Sequence, residues 1–531
     1  MRYIQGESRE QLIFLPASLD DYISSDNETR NIDLFVNSLN LEEFGFKMKK
    51  VDDGRPAYHP SVLLKLFIYG YLNRIRSSRA LEKECGRNIE LMWLMQRLVP
   101  DHNTISNFRK DHSESIRKVF KATVEIAKHF NLIGGKLIAG DSTKLRAQNS
   151  KKNNFNRNKI ERHLNYIDQK LQHYSDELAE ADGDEKRDEI KSAIKRQKQR
   201  KKRYHAIREA LEQSGEDQIS VSDPDSKQMI VRNNITEVAY NIQSVTDAEH
   251  NIPIDYLVTN NNDSKALGSM MQRTVETLGN NKFVALLDKG YHTGSELSAA
   301  QSMGITTIVA IPDISSASMA PDPAYNVSEF IYNKRKHSYT CPEGNELKTN
   351  GNWYNKDRRN SRVQAQHFKT PACKTCPVLN QCTKNTRGRG RVIERTEHQD
   401  AIDKNRINVE QKEYLYKRRQ SIIEHNYGTI KRQWNFHFIL TKKYKHRAAS
   451  DVGFMFIAYN LRRILNIVGL EEFGKYLKEL SRALKSHILK LLRGINSLYK
   501  HILEFHPDKL FCNMNFQGSG YLNKLGVEGG F

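Results

Sequence analysis

Cysteine is scarce in this sequence, with six among 531 residues. Secreted disulfide scaffolds are short and cysteine-dense, so a disulfide framework is excluded and a reducing compartment is expected. Long apolar runs are lacking too. The opening MRYIQGESREQ is charged and holds no stretch resembling a secretory signal. The most apolar late stretch, Val452 to Val468, is interrupted by Arg462 and Arg463, which argues against a membrane span. Acidic residues are outnumbered, 63 against 84 Lys+Arg, for a net charge of +21. That surplus favours a polyanionic partner, DNA or RNA. A cytoplasmic, nucleoid-associated protein without a membrane partner is the expectation. A chain this long can form two or three domains with a sizeable core.

Several patterns set the organisation. Residues 1–130 read as helical. His59-Pro60-Ser61 marks a helix start, because proline suits a first turn. LLKLFIYGYL (Leu63 to Leu72) is apolar nearly all round and predicts a buried helix. A helix after Ser77-Ser78 and another near Asp101 follow, the latter with Ile105 and Phe108 inward and Arg109 and Lys110 outward. Three short helices ending in a basic one resemble a DNA-reading helix-turn-helix region, although small helical bundles are common. From Gly134-Gly135 the period changes. LIGGKLIAGDSTKLRAQ alternates like a strand and carries Asp141 in its middle. Apolar residues at Ile160, Leu164, Ile167, Leu171, Tyr174 and Leu178 then form a heptad seam. Asp182-Gly183-Asp184 breaks it, and Ile190, Ile194, Tyr204, Ile207 and Leu211 continue on a second arm. This predicts a helical-hairpin insertion over 151–236. Its arm Lys195 to His205, KRQKQRKKRYH, either tracks phosphates or is a solvated face.

Strand patterns return at Val238–Val245, Ile254–Thr259, Phe283–Leu287 and Thr306–Ile311, with helices at Lys265–Leu278 and Gly294–Met303. The order predicts a mixed sheet flanked by helices: an α/β (mixed α+β) protein with a ribonuclease-H-like core. That catalytic domain is expected over 131–470. It would hold a cysteine-containing, loop-like insertion at 312–400 and a helix from about Val409 to Trp434. Helices at Ala448–Val468 and Leu470–Leu503 follow, and a polar tail from about His506. Residues 471–531 form the C-terminal helices and tail.

Phosphodiester cleavage and joining need an activated attacking oxygen and a stabilised leaving oxygen. Two divalent cations about 4 Å apart do both, and hard cations such as Mg²⁺ prefer carboxylate oxygens. Asp141 lies on the first strand and Asp288 ends FVALLDKGY, at the sheet edge where ligands enter. Glu424 projects from a helix that can cover the sheet. Asp247, Asp263 and Asp223 are better read as carboxylates that shape turns. Trp434 is read as packed rather than stacked on a base.

In these blocks the chain resembles the DDE transposases of bacterial insertion sequences, in the branch with a Tyr-Arg-Glu-Lys signature. GESREQLIFLPASLDDYI and GRPAYHPSVLLKLFIYGYL resemble the helical amino-terminal domain of that branch. GDSTKLRAQ resembles its first-aspartate block, and VAYNIQSVTDAEH with TNNNDSKAL the following strand pair. LLDKGYHTG and IIEHNYGTIKRQW resemble the second-aspartate and glutamate blocks. The resemblance implies that Asp141, Asp288 and Glu424 are catalytic and bind two Mg²⁺ (or Mn²⁺) ions. It implies that Lys431, seven residues after Glu424, contacts DNA. The signature's Arg and Tyr fall at Gln420 and Lys417 here, while Arg419 and Tyr416 sit one place earlier. On a regular helix that turns Arg419 and Tyr416 about a quarter-turn from the metal face, unless the helix is distorted, and it leaves their DNA contacts open. The implied activity is cleavage at inverted-repeat ends and transfer into target DNA by a homodimer in a synaptic complex. Alternatives are a structure-selective nuclease on the same core and an inactive DNA-binding descendant.

Cys341, Cys373, Cys376 and Cys382 offer four thiolates to one structural zinc, with reduced free thiols as the alternative. Cys85 and Cys512 have no partners nearby in sequence.

Overall fold

The structure, a computed structural model, describes residues 18–47, 56–232, 235–313, 316, 318–358, 361–385, 390–484 and 486. Its centre is a six-stranded sheet: β1 (Leu137–Arg146), β2 (Lys227–Arg232), β3 (Ile235–Asp247), β4 (Ile252–Thr259), β5 (Val284–Leu287) and β6 (Thr306–Val309). β3 runs antiparallel to β1, β2 and β4, whereas β5 lies parallel to β1 and β6 parallel to β5. The two parallel joins are made through helices Leu267–Leu278 and Gly294–Ser302, because parallel neighbours need a crossover. The expected ribonuclease-H-like core is the observed one. The turn into β1 depends on Gly135, which has φ +63. Asp247 accepts hydrogen bonds from the backbone N–H of Gly134 (3.0 Å) and Gly135 (2.8 Å), so it shapes that turn as expected.

The amino-terminal helices are not set apart from this sheet. Pro60–Leu72 is buried on almost every side, and Phe67 stacks on Phe454 at 4.8 Å between ring centres. Phe454 belongs to the long helix Lys445–Val468, whose Phe456 stacks on Tyr256 of β4 at 5.3 Å. One hydrophobic core thus runs from the first helices through the long helix to the sheet. At its centre Asp451 is fully buried. It accepts from Arg76 (2.9 Å), from the Leu440 N–H (2.6 Å) and from the Tyr71 hydroxyl. Arg109 lies 3.8 Å away. The expectation that Arg109 faces outward is therefore wrong: its side chain is 5% exposed and also donates to the Arg76 carbonyl and the Tyr71 hydroxyl. The helical period placed it near the polar face, but a carboxylate supplied from 342 residues away draws it in.

The hairpin insertion forms as predicted, with arms Arg157–Glu180 and Asp184–Ser214 joined at Gly183. Ile160, Leu164, Ile207 and Leu211 make its separate small core. Its feet are fixed to the body by Asn149, which donates to Ser220 and Ser226, and by Asp223, which accepts from the Tyr240 hydroxyl and the Tyr444 N–H. The 312–400 insertion is not loop-like. Its strands Ile331–Asn333, Ser338–Thr340 and Glu346–Leu347 form one sheet, and Tyr354–Arg358, Ser361–Phe368 and Ile393–Thr396 a second. Phe330, Tyr339, Leu347 and Phe368 fill a core of their own. Most of these strands run only two to five residues, too short for a period of two to show in the sequence. Residues 470–484 are helical; the rest of the predicted Leu470–Leu503 helix, the tail and Cys512 lie outside the described residues.

Candidate active site

The β1–β5 register sets the site. Gly140 pairs with Leu287 across that parallel ladder, so Asp141, midway along β1, lies beside Asp288, which directly follows β5. Adjacent strands run about 4.8 Å apart, close enough for two carboxylates to share ligands. Asp288 ends β5 and caps the turn Lys289–Tyr291, its Oδ1 accepting from the Lys289 N–H at 2.6 Å. Asp141 Oδ1 accepts from the Ser142 N–H at 2.7 Å. Its Oδ2 accepts from Arg419 Nη1 at 2.8 Å. Burial pushes the Asp141 carboxyl above the usual carboxylate range. The Arg419 guanidinium opposes that shift, and the negative charge of Asp288 adds to it.

The glutamate segment differs from the single helix expected over Val409–Trp434. It is broken into Gln399–Gln411, Glu413–Tyr416 and Arg418–Tyr427, and then widens into a π-helix at Gly428–Gln433. The break before Arg418 does not enter the phase argument, because Arg419 and Glu424 share the unbroken helix Arg418–Tyr427. Arg419 reaches Asp141, whereas Glu424 is bonded to Gln420, the residue at the signature's arginine position. Tyr416 packs beside Ile422 and Ile423, with the Arg419 guanidinium 5.9 Å from its ring centre. Glu424 is exposed and accepts from Gln420 Nε2 at 2.8 Å. A cleft of about 460 Å³ is bordered by Asp141, Lys144, Arg146, Tyr427, Glu424 and Lys431. Lys431 Nζ donates to Thr143 Oγ1 at 2.8 Å, so Lys431 and Glu424 do share a face. Asp288 is not among the residues lining that cleft. Among the described residues, no three His, Cys, Asp or Glu side chains are gathered closely enough to hold a cation.

Two family profiles match the chain: a transposase domain over residues 17–111 and a transposase DDE domain over residues 340–465. The chain is a DDE transposase. No curated protein and no solved structure matches it. The second matched stretch contains Glu424 and Lys431, while Asp141 and Asp288 lie between the two matches. Transposases act on DNA, and a DDE domain implies dependence on divalent cations. Among the described residues of this transposase, no helix is long and apolar enough to cross a membrane.

Sequence reasoning missed the layer beneath the aspartates. Asn241 and Gln243 of β3 are fully buried and donate to Asp263 Oδ1 at 2.8 and 2.6 Å. Asp263 thus does more than shape its turn. Its carboxylate orients the polar centre of the sheet and packs against Gly290, where a Cβ would meet Asp263 Oδ2 at 3.3 Å. Tyr291 donates to Gln243, and the Tyr427 hydroxyl lies 2.7 Å from Ser244 Oγ and 3.2 Å from the Asp141 carbonyl. Burial raises both phenols, and the Asp263 and Asp141 charges add to the shift. Both phenols are therefore neutral donors. The only sequence signal was the run of polar residues in VAYNIQSVTD, in a strand with buried neighbours on both sides.

In the transposase's two-sheet insertion, Cys341, Cys373, Cys376 and Cys382 border one small cavity of about 20 Å³. Burial raises the Cys382 thiol, and the other three cysteines add to that shift. All four thiols are free. Cys85 is buried in the main core, and Trp434 is packed against Phe436 and Tyr459 as expected.

Proposed function

We propose that Asp141, Asp288 and Glu424 are the catalytic acids of this transposase and hold two Mg²⁺ or Mn²⁺ ions. The observation that carries this reading is the β1–β5 register, which sets Asp141, within β1, beside Asp288 at the end of β5. Glu424 and Lys431 border the same cleft as Asp141. The donor set is all carboxylate, as hard cations require. A cationic guanidinium already stands on Asp141, so the pocket accepts positive charge. Bound cations supply an activated attacking oxygen and a stabilised leaving oxygen.

This chain's own residues do the rest. Tyr427, Ser244, Gln243 and Asp263 fix the floor on which Asp141 stands. Lys431 and Arg146 meet phosphate at the cleft. The basic arm Lys195 to His205 and the helices of residues 18–111 extend contact along the duplex. The Tyr-Arg-Glu-Lys branch fits, with Arg419 taking the arginine's part despite its displaced position. The substrates are the inverted-repeat ends of the element and target DNA, handled by a homodimer because two ends must be cut together. The four cysteines border one cavity and, drawn closer together than they stand here, would hold one structural zinc that ties the two small sheets together. A soluble, nucleoid-associated cytoplasmic protein follows from this reading.

The test is a strand-transfer assay in Mg²⁺, using a duplex that carries the DNA bordering the gene. A transposase of this kind cuts the duplex and joins its 3′ end to a second DNA. Cutting without joining would replace the reading with a structure-selective nuclease. Binding that leaves the DNA whole would replace it with an inactive descendant.

A further inference from the structure

We infer that Arg419 keeps the DNA-free catalytic centre closed to divalent cations by standing on Asp141, and that DNA opens the centre by giving this guanidinium a phosphate to bind instead. The inference rests on the reading of Asp141 as a metal ligand. Both oxygens of Asp141 are engaged, Oδ1 by the Ser142 N–H at 2.7 Å and Oδ2 by Arg419 at 2.8 Å. The pair is shielded: the two side chains are 17% and 25% exposed. It is therefore not a surface ion pair that water and salt would dissolve. Glu424, meanwhile, is turned to Gln420. The acids are thus present but not assembled, and a protein cation occupies the charge position of a metal ion.

Arginine suits such an exchange. Its planar fork binds phosphate oxygens at least as well as a carboxylate. The site borders the cleft that Lys431 and Arg146 make basic. Arg419 lies in the first turn of the helix Arg418–Tyr427, and its long side chain can turn from Asp141 to a phosphate by rotamer change alone. When Arg419 moves to a phosphate, Asp141 is left anionic beside Asp288, and a divalent cation becomes the favourable partner. Linkage then requires that DNA tighten cation binding and that cations tighten DNA binding by the same factor. A transposase wired this way does not load its centre away from DNA.

The experiment titrates Mn²⁺ into the DNA-free, full-length protein and follows free Mn²⁺ by electron paramagnetic resonance. Arg419→Met keeps a flexible unbranched stem and removes the guanidinium and its charge. It is expected to bind Mn²⁺ at least about fivefold more tightly than the wild type, the lower end of ordinary coupling. Asp141→Asn is expected to bind more weakly. If Asp141→Asn weakens binding while Arg419→Met leaves it unchanged or weaker, this inference falls and the triad reading stands. If Asp141→Asn binds as the wild type does, the triad reading itself falls. A second measurement needs no variant that could misfold: wild-type Mn²⁺ affinity with and without a duplex bearing the DNA that borders the gene. A rise in affinity matched by an equal effect of Mn²⁺ on duplex binding supports the exchange, and no rise overturns it.

Discussion

Replacing Asp451 by Asn tests how the helical amino-terminal part is joined to the sheet. The side chain is fully buried and faces Arg76, Arg109, Tyr71 and the Leu440 N–H. Arg76 and Arg109 are 6% and 5% exposed and have no route to water for their charge. Removing the one carboxylate leaves two buried guanidiniums uncompensated, a cost of about 3–5 kcal/mol. Urea unfolding followed by tryptophan fluorescence should show the midpoint fall by on the order of 1 M, given slopes of a few kcal/mol/M. The effect is pH-dependent, and its sign follows from the folded state. Burial alone would raise the Asp451 carboxyl, but Arg76 and Arg109 outweigh it and hold the group below the usual carboxylate range. The stabilisation is therefore full above about pH 4, where an unfolded aspartate ionises. It is lost as pH falls through the lower folded value, and the gap between wild type and variant narrows there. A change worth under about 1 kcal/mol at neutral pH, the size of an exposed ion pair, would refute the joint.

Three further outcomes are expected. Lys431→Ala should weaken duplex binding and lower the slope of log K against log salt by about one phosphate contact; an unchanged slope would rule out a phosphate contact at Lys431. Converting Lys198, Arg200, Lys202 and Arg203 together to Gln should lower that slope by up to about 3.6 without changing the melting temperature by more than a degree or two, because these side chains are solvent-facing. An unaltered salt slope would leave the arm a solvated face. Purified protein should carry about one zinc per chain by elemental analysis, and Cys376→Ser should lose it; metal-free wild type would leave four free thiols.

Much of this architecture was legible in the chain. The alternation around Asp141, the return of strand patterns after the heptad seam and the break at Gly183 lead directly to the sheet and the hairpin. These signals are local, set by periods of 2 and about 3.6. What failed depends on distant partners. Arg109 looks outward by period, yet Asp451 recruits it inward. The polar residues of β3 look like a half-exposed strand, yet they are buried because Asp263 and Tyr291 satisfy them. The break before Arg418 and the π-turn from Gly428 have no proline to announce them, so the expected single helix over Val409–Trp434 showed no sign of its interruptions. The 312–400 strands escaped because most run only two to five residues, too short for a period of two to show. Asp141, Asp288, Glu424 and Lys431 were named from block resemblance. That the two aspartates lie side by side is visible only once the register of β1 and β5 is known.

The most direct measurement compares wild type with Asp141→Ala on a labelled duplex carrying the DNA that borders the gene, with binding and cutting read on the same sample in Mg²⁺. Wild type should bind and cut; Asp141→Ala should bind with similar affinity and leave the strands whole. Cutting that survives the substitution would contradict the carboxylate-held cation centre.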